Sequence, residues 1–296
     1  MATIGWIGLG NMGGPMTANL VNADHTVRGF DLNADALAAA EAGGLTAVSS
    51  IAEAVDGVDV LFTMLPKGEH ARAVYLGDDG VLAHADTSTL LVDSSTIDIE
   101  SAAALHEAAA EKGFRFVDAP VSGGISGAKA GTLTFMIGGE EGAVKDATAL
   151  IEPMARNIIP TGGATTGQAA KICNNLMLFI NLAATAEGAV LADRLGLDKQ
   201  VFWDIASVSS GDSWALRTWY PVPGVVDTAA SNNDFAPTFT AELANKDIGL
   251  AIAAARDTGT PLEIGEHVQQ LFQRLLDDGQ GGKDCSMIIK LVDGTL

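Results

Sequence analysis

The chain has 296 residues, of which 48% are hydrophobic and 34 are glycine, a composition typical of a folded α/β protein of more than one domain rather than a disordered chain. Its formal net charge is −20, which argues against binding to nucleic acid or to an anionic membrane, since both need clustered Lys and Arg. Only Cys173 and Cys285 are available for a disulfide, so we expect two free thiols in a reducing cytoplasm.

The first half of the chain alternates strand-like and helix-like segments. Short apolar runs predict strands at 3–8, 26–31, 58–65, 89–95, 114–120 and 132–139. Helical periodicity predicts helices at 12–22, 34–44 and 99–113. This alternation predicts a parallel, doubly wound sheet of the Rossmann type.

A change of pattern divides the chain near Gly162 and Gly163. Beyond them strand signals nearly vanish and long helical periods dominate. We therefore predict a dinucleotide-binding domain over 1–163 and an all-helical domain over 164–296 for substrate binding and oligomerisation. The second domain should open with one long helix over 167–193.

No targeting or membrane segment is predicted. The chain enters an apolar strand at once, without a basic segment before it, so neither a signal peptide nor a transit peptide is expected. The longest uninterrupted apolar run, at 176–192, carries Asn181 and Glu187. It is shorter than a bilayer-spanning helix, so no membrane contact is expected.

A glycine triplet follows the first strand and opens the first helix. Gly8 permits a tight turn, Gly10 leaves room for a pyrophosphate, and Gly13 lets helix and strand pack closely. Asp31 lies at the end of the second strand, where an acid accepts hydrogen bonds from the adenine ribose and repels a 2′-phosphate. NAD is therefore favoured over NADP as the cofactor. The turn residues predicted to bind it are Gly8, Leu9, Gly10, Asn11, Met12 and Gly13.

One lysine stands at the head of the long apolar helix. Lys171 lies in the stretch GQAAKICNN, and a cation buried on such a helix loses hydration that something must replace. Most helix lysines pack their stems and keep the ammonium in water. In a chain with only 17 basic residues, Lys171 is nevertheless a candidate functional group, and Asn175 shares its helix face one turn later.

Five segments together resemble the β-hydroxyacid dehydrogenase family. They read IGWIGLGNMGGPMTANLVNADHTVRGFD, DSSTID, FVDAPVSGG, GQAAKICNN and ANKDIGLA, in the family's order and approximate spacing. The resemblance extends from about residue 3 to residue 290. A further segment, SWALRTWYPVPGVVDTAASNNDF, is similar to the branch of the family that acts on 3-hydroxyisobutyrate.

The resemblance implies that Lys171 is the catalytic acid/base. It would take the proton from the substrate alcohol as hydride leaves the same carbon for the nicotinamide, and burial of the amine would lower its pKa toward the working range. Asn175 is predicted to orient the substrate or the lysine, since its spacing puts it beside Lys171 on the helix. A plain polar contact between helices is the alternative for Asn175.

The remaining sites follow from position and from the resemblance. Ser122, Gly123 and Gly124 lie just past a strand's carboxyl end, where open α/β sheets bind ligands and successive backbone N–H groups can hold a carboxylate. The resemblance places Leu65, Pro66 and Thr96 beside the cofactor and Lys246 at both cofactor and substrate. Trp214 is a candidate for the wall of the substrate pocket, with a place in the aromatic core as the alternative. Asp247, beside Lys246, is expected to be a solvated charge. No histidine has metal-ligand spacing, so no metal is expected.

The function implied is NAD-dependent oxidation of 3-hydroxyisobutyrate to methylmalonate semialdehyde, a step of valine breakdown in this family. Reduction of tartronate or succinate semialdehyde and oxidation of 3-hydroxypropionate stay open, because apolar-pocket selectivity between such substrates is only about 1–3 kcal/mol. A nicotinamide-binding module without turnover is an alternative from another class, and the presence of Lys171 argues against it. The helix at 167–193 has more apolar surface than one small domain covers, which predicts that part of it packs against a partner subunit in a homodimer or homotetramer.

Overall fold

Nine strands form one sheet in the first part of the chain. The computed structural model describes all residues from 1 to 296. The strands are β1 Thr3–Ile7, β2 Thr26–Phe30, β3 Thr46–Ala47, β4 Val60–Thr63, β5 Leu90–Asp93, β6 Arg115–Asp118, β7 Val121–Ser122, β8 Leu133–Gly139 and β9 Ala155–Gly162. Their order in space is β3-β2-β1-β4-β5-β6-β8-β7, with β9 paired to β8.

Helices cover both faces of this sheet. They are α1 Gly13–Asn22, α2 Ala34–Ala42, α3 Ile51–Val55, α4 Gly68–Leu76, α5 Val81–His84, α6 Ile99–Glu111, α7 Gly124–Ala130 and α8 Glu141–Ile151. Successive residues of β4 belong to different cores: Phe62 stacks on Trp6 at a centroid distance of 5.2 Å, whereas Leu61 lies in a second cluster with Tyr75. Burial on both faces explains why these strands are continuous apolar runs rather than alternating ones.

The strand order creates a crevice at the carboxyl end of β1. This strand pairs in parallel with β2 on one side and β4 on the other, so the connections leave it in opposite directions. Open α/β sheets bind their ligands at such a switch point. The predicted Rossmann architecture is confirmed.

The sequence pattern predicted a sheet that is parallel throughout, and this prediction was wrong for β7 and β8. Strands β1 to β6 are parallel, but β8 runs antiparallel to β6 and β7. Between β6 and β8 the chain passes through the two-residue β7 and the short helix α7, and β8 then pairs antiparallel with both β6 and β7. The segment at 155–162, which had no predicted structure of its own, is β9 and runs parallel to β8.

The second part of the chain is helical. Its helices are α9 Thr166–Arg194, α10 Lys199–Ala206, α11 Trp214–Thr218, α12 Ala241–Thr258, α13 Glu263–Asp277 and α14 Ile289–Asp293. The chain divides into two compact units, Met1–Lys171 and Ile172–Leu296, so the first turns of α9 belong to the first unit. Phe179 and Phe272 meet edge to face at 5.5 Å in the core of the second unit. The predicted boundary after Gly163 stays a prediction.

Helix α9 is long and apolar enough to span a membrane. It has 29 residues, and the mean hydropathy of its most apolar 18-residue stretch is 1.4, with half of that stretch buried. The sequence argument considered only the uninterrupted apolar run, whereas the helix continues on both sides of it. Length and composition are weak evidence here, because the core helices of soluble proteins have the same properties.

A buried polar network closes the carboxyl ends of β4 and β5. The side chains of Thr63 and Ser95 each donate to Asp93 Oδ1 at 2.6 Å, and Tyr75 Oη lies 3.0 Å from Thr63 Oγ1. Burial raises the pKa of Asp93, and the nearby Asp118 carboxyl adds to the increase. Burial likewise raises the pKa of Tyr75 well above its usual value.

This network predicts a pH effect on stability. Because the pKa of Asp93 is higher in the folded than in the unfolded protein, its contribution to stability is present below the unfolded pKa and falls as the pH rises through the folded pKa. We expect the unfolding free energy of Asp93→Asn, measured in urea, to fall less than that of the parent between about pH 4 and about pH 7.

A surface aspartate provides the control. The hydrogen bond from Arg217 lowers the pKa of Asp212, so that carboxylate adds stability that is lost as the pH falls. The unfolding free energy of Asp212→Asn should therefore fall more than that of the parent as the pH rises. If the unfolding free energy of Asp93→Asn falls as much as that of the parent over this pH range, Asp93 is not the acid that causes the pH dependence.

Candidate active site

The first glycine turn leaves open space next to the end of β1. Gly8 has φ +96°, and a Cβ there would collide with the Met64 carbonyl oxygen. A Cβ on Gly13 would collide with the Gly8 carbonyl oxygen, which also accepts a hydrogen bond from Trp6 Nε1 at 2.9 Å. A Cβ on Gly10 would meet nothing within 4 Å. Two of the glycines therefore serve the turn itself, and the third keeps the adjoining space free.

The N-terminus of α1 faces that space without a side-chain cap. Met12 is the N-cap residue and makes no capping hydrogen bond with its side chain. Gly10 and Asn11 are exposed beside it. The positive end of the helix dipole at this turn suits a phosphate group.

Asp31 connects the turn to the end of β2. Its Oδ2 accepts a hydrogen bond from Leu9 N at 2.6 Å, and its Oδ1 accepts one from Asn33 N at 2.7 Å. A carboxylate has about four acceptor positions. Two backbone bonds therefore orient Asp31 and leave acceptor capacity for ribose hydroxyls, so the turn and Asp31 fit a dinucleotide.

The loops that follow β4 and β5 are tied together. Leu65 N donates to Ser95 Oγ at 2.8 Å, and Ser95 Oγ in turn donates to Asp93. Pro66 and Thr96 each follow directly in sequence. The three residues predicted to lie beside the cofactor, Leu65, Pro66 and Thr96, are therefore on two linked loops at the carboxyl edge of the sheet.

The predicted carboxylate site lies after β7. Gly123 and Gly124 have φ +135° and +65°, a conformation that favours glycine. A Cβ on Gly124 would meet nothing within 4 Å. Ser122 is half-buried in register with Thr134 of β8. Successive backbone N–H groups in such a turn suit an anion.

Asp118 anchors the first turn of α9 to the sheet. Its Oδ1 accepts a hydrogen bond from Thr165 N at 3.0 Å, and its Oδ2 accepts one from Gln168 N at 2.8 Å. His106 Nε2 lies 2.7 Å from Asp118 Oδ1. A Cβ on Gly167 would lie 2.6 Å from the Met136 carbonyl oxygen, so this glycine allows the helix to approach the strands.

Lys171 follows this anchored turn. Only 8% of its surface is exposed, so the alternative of a lysine with its ammonium in bulk water does not describe it. Gln168, one turn earlier, is fully buried. The side chain of Gln168 donates to the Ser95 carbonyl oxygen at 2.7 Å and accepts from Ile97 N at 3.2 Å.

Three polar residues of the helical domain contact one another, two of them buried and Lys246 partly buried. Asn175 Nδ2 donates to Asp247 Oδ2 at 2.7 Å, and Lys246 Nζ lies 2.9 Å from Asp247 Oδ1. Asp247 is 3% exposed. The expectation of a solvated charge at Asp247 was wrong, because the acid has a cation and an amide as neighbours. Asn175 makes the polar contact between helices that the sequence left as its alternative.

Trp214 lies at the exposed end of an aromatic row. Its ring meets Trp219 edge to face at 4.9 Å, and Trp219 lies 5.9 Å from Phe239. Trp214 is 46% exposed. One side of this ring is therefore packed against the core and the other is available for contact, and its role with substrate stays a prediction.

Two family models together match nearly the whole chain. Residues 3–163 match the NAD binding domain of 6-phosphogluconate dehydrogenase. Residues 165–292 match the model described as NAD-binding of NADP-dependent 3-hydroxyisobutyrate dehydrogenase. The glycine turn, Asp31 and Asp118 fall in the first match, and Lys171 falls in the second.

Curated relatives match over the same length. A probable 3-hydroxyisobutyrate dehydrogenase of Mycobacterium tuberculosis is 47% identical over 278 residues, which is 94% of each chain. The chain belongs to the β-hydroxyacid dehydrogenase family. An NAD-dependent L-serine dehydrogenase of Pseudomonas aeruginosa is 43% identical over 100% of this chain and 99% of its own. The solved structure of the M. tuberculosis 3-hydroxyisobutyrate dehydrogenase with L-serine matches at TM-score 0.91 and 46% identity over 99% of each chain.

Family membership makes the chain an NAD-binding oxidoreductase. The predicted family, the enzyme class and the cofactor are confirmed. The chain contains no group of three His, Cys, Asp or Glu residues that could hold a metal ion.

Sequence reasoning missed the polar residues that fix the site. Asp93 and Asp118 are register partners at the ends of neighbouring strands, and Gln168 joins them through α9. A signal was present, because an acid ends the runs LLVD and RFVD in both strands. The sequence alone does not say that the two ends meet the same helix.

The two glycines of the turn predict opposite behaviours. Gly10→Ala should fold with the parent's melting temperature, because its methyl group meets open space, but should weaken NAD binding by at least about tenfold since that space is needed by the cofactor. Gly13→Ala should lower the melting temperature itself, because its methyl group collides with backbone. Calorimetric titration with NAD and thermal unfolding measure both quantities. Unchanged NAD affinity in Gly10→Ala would contradict the assignment.

Proposed function

We propose that the chain oxidises 3-hydroxyisobutyrate to methylmalonate semialdehyde with NAD, as a step of valine breakdown, and that Lys171 is the general acid/base. The observation that carries the proposal is the position of Lys171. It is a buried lysine three residues after Gln168, whose backbone is tied to the carboxyl edge of the sheet, the edge that also carries the glycine turn.

The chemistry divides into two transfers. When bound, NAD supplies the acceptor for the hydride that leaves the carbon bearing the hydroxyl group. The Lys171 amine takes the hydroxyl proton in the same oxidation and returns it in the reverse reduction, so charge and protons balance. Burial suits this role, because water at the amine would compete with the substrate hydroxyl for its hydrogen bond.

The substrate carboxylate is assigned to the turn after β7. Gly123 and Gly124 have positive φ angles in this turn, where successive backbone N–H groups could bind an anion, and the hydroxyl of Ser122 would add a donor. Substrate contacts of Asn175, Trp214 and Lys246 stay predictions.

NAD is proposed as the preferred cofactor over NADP. The carboxylate of Asp31 is oriented by two backbone N–H groups at the end of β2, where the adenine ribose binds in this fold. A 2′-phosphate at that position would meet a fixed negative charge. The name of the P. aeruginosa relative, which specifies NAD, supports the same preference.

L-serine is the second candidate substrate. The P. aeruginosa relative is named for L-serine, and the solved structure of the M. tuberculosis relative contains it. L-serine and 3-hydroxyisobutyrate share a carboxylate and a hydroxyl on the third carbon, and they differ in an ammonium or a methyl group on the second. The transfers assigned to Lys171 apply unchanged to both substrates.

The substrate assignment is tested by NADH formation, followed by absorbance. We expect the highest kcat/KM with 3-hydroxyisobutyrate in a panel that includes L-serine, 3-hydroxypropionate, glycerate and 4-hydroxybutyrate, and a lower value with NADP than with NAD. A higher kcat/KM with L-serine would replace the proposed substrate and keep the mechanism.

Substitution of the lysine tests the mechanism. Lys171→Ala should lower kcat by about 10²–10⁴ with the best substrate, because general acid/base groups contribute that much. Lys145→Ala, at an exposed position of α8, is the matched control and should retain the parent's kcat. A loss of less than about tenfold in Lys171→Ala would exclude the proposed proton transfer.

We also propose that the protein is a homodimer or homotetramer. Three large apolar side chains on α9 and just past its end face solvent: Met177 is 65% exposed, Leu191 59% and Leu195 77%. Val201 and Ile205 of α10 are also exposed, at 45% and 52%. Several large apolar side chains exposed on neighbouring helices are what a protein–protein interface would bury.

Sedimentation tests the assembly. The parent should sediment at a multiple of its 30.3 kDa chain mass, and Leu191→Glu with Leu195→Glu should shift it toward the single chain, since two carboxylates cannot be buried unpaired. Leu76→Glu, at a 41% exposed position of α4, should leave the mass unchanged. A parent that sediments as a single chain would contradict the proposal.

A reducing cytoplasm is the proposed location. Cys173 and Cys285 are both free thiols, one exposed and one buried. Burial raises the pKa of Cys285 well above its usual value, which keeps it protonated and unreactive. An exposed free thiol such as Cys173 is typical of proteins in reducing compartments.

A further inference from the structure

The side chain of Gln168 clamps the segment that contains Thr96. Its Nε2 donates to the Ser95 carbonyl oxygen at 2.7 Å, and its Oε1 accepts from Ile97 N at 3.2 Å. The two peptide groups lie on either side of Thr96. The amide of Gln168 therefore pairs with the loop as a neighbouring strand would, and it uses both its donor and its acceptor.

The backbone of Gln168 is fixed from the other side. Its N–H donates to Asp118 Oδ2 at 2.8 Å, and Asp118 Oδ1 accepts from Thr165 N at 3.0 Å. A Cβ on Gly138 would lie 2.7 Å from Gly167 N, so the helix start packs directly on the strand backbone. The backbone of Gln168 is therefore bonded to the sheet while its side chain is bonded to the loop.

Lys171 is one helical turn beyond Gln168. Residues three apart on an α-helix lie on neighbouring positions of one face. The chain of contacts therefore runs from the Lys171 turn through the Gln168 amide to the peptide groups that flank Thr96, all within the first compact unit.

We propose that Gln168 is a positioning residue for the transfer step, which sets the place of Lys171 relative to the cofactor-side loop at Thr96. The proposal rests on the proposed function, since it takes Lys171 as the acid/base and Thr96 as a neighbour of the nicotinamide. Transfer rates depend steeply on such placement, and a displacement of about 1 Å can lower them about a hundredfold. The affinity for NAD depends mainly on the glycine turn and Asp31, so it should stay unchanged when the transfer rate falls.

The test compares two substitutions at this position in the full chain. Gln168→Met keeps the volume and removes both hydrogen bonds. Gln168→Glu keeps the acceptor for Ile97 N and sets a carboxylate against the Ser95 carbonyl oxygen, a contact that becomes a hydrogen bond when the acid is protonated. Each variant is assayed with NAD and the best substrate of the panel, in its ordinary form and deuterated at the carbon that carries the hydroxyl.

For Gln168→Met we expect kcat to fall about 10- to 100-fold, with the dissociation constant for NAD within about threefold of the parent's. The deuterium isotope effect on kcat should rise, because hydride transfer becomes the slow step. For Gln168→Glu we expect the ratio of its kcat to the parent's to increase as the pH falls. A residue that only stabilises the fold would reduce the amount of active enzyme without changing the isotope effect.

Gln270→Met, at an exposed position of α13, is the matched control and should retain the parent's kcat and isotope effect. Equal losses of NAD affinity and kcat in Gln168→Met would overturn the proposal, because they would make Gln168 a cofactor-loop residue only. An unchanged isotope effect would also overturn it. If Gln168→Met does not fold, the isotope effect and pH dependence of Gln168→Glu decide the question by the same criteria.

The Lys171→Ala variant separates this proposal from the proposed function. Retained turnover in Lys171→Ala removes the acid/base role and the positioning role together. Lost turnover in Lys171→Ala with a parent-like kcat and isotope effect in Gln168→Met removes the positioning role alone.

Discussion

The carboxylate of Asp118 is the contact on which the active-site geometry depends. It is buried at the end of β6 and accepts the backbone N–H groups of Thr165 and Gln168 in the first turn of α9. A helix start needs such acceptors, and a negative charge there also meets the positive end of the helix dipole. The sheet and the helix that carries Lys171 are joined at this point.

Asp93, a second buried acid, fixes backbone in the same way on the neighbouring strand β5. Asp93 pairs in register with Asp118 and holds Ser95, which in turn accepts the N–H of Leu65. Neither acid is assigned a chemical step. Both fix backbone at the carboxyl edge of the sheet, so that the loops and the helix turn are placed before any ligand arrives. Placement in advance is what makes a site effective, since groups that must first be ordered lose part of their binding free energy.

Close backbone contact is the other constraint at this edge. Gly138 and Gly167 lie where any Cβ would collide with neighbouring backbone, just as Gly8 and Gly13 do at the first turn. The glycines thus have two purposes in the chain. Some permit close packing of elements, whereas Gly10 and Gly124 border open space that a ligand can enter.

Local patterns predicted the fold well. The glycine turn after β1 and the acid after β2 are close in sequence, and the helical second half follows from periodicity alone. The parallel sheet was predicted too broadly, because the reversal into β8 depends on a two-residue strand that leaves no periodic signal. The burial of Asp247 was missed for a related reason, since its partner Asn175 is 72 residues away in the chain.

The candidate site was predicted by residue type and not by its connections. Lys171 stands out in the sequence because a cation interrupts an apolar helix. Asp118 and Gln168 do not stand out, because their partners are 50 and 73 residues distant. Such contacts arise from the strand order, which brings the ends of β5 and β6 together, and a single sequence carries no direct record of that order.

The anchoring of α9 by Asp118 is tested most directly by amide hydrogen exchange. Peptides that cover 163–170 can be followed by mass spectrometry in the parent and in Asp118→Asn, with peptides from β1 as the internal reference. Because an asparagine can accept on one side only, the account predicts at least about tenfold faster exchange at the helix start with unchanged exchange in β1. Unchanged protection at 163–170 in the variant would contradict the account.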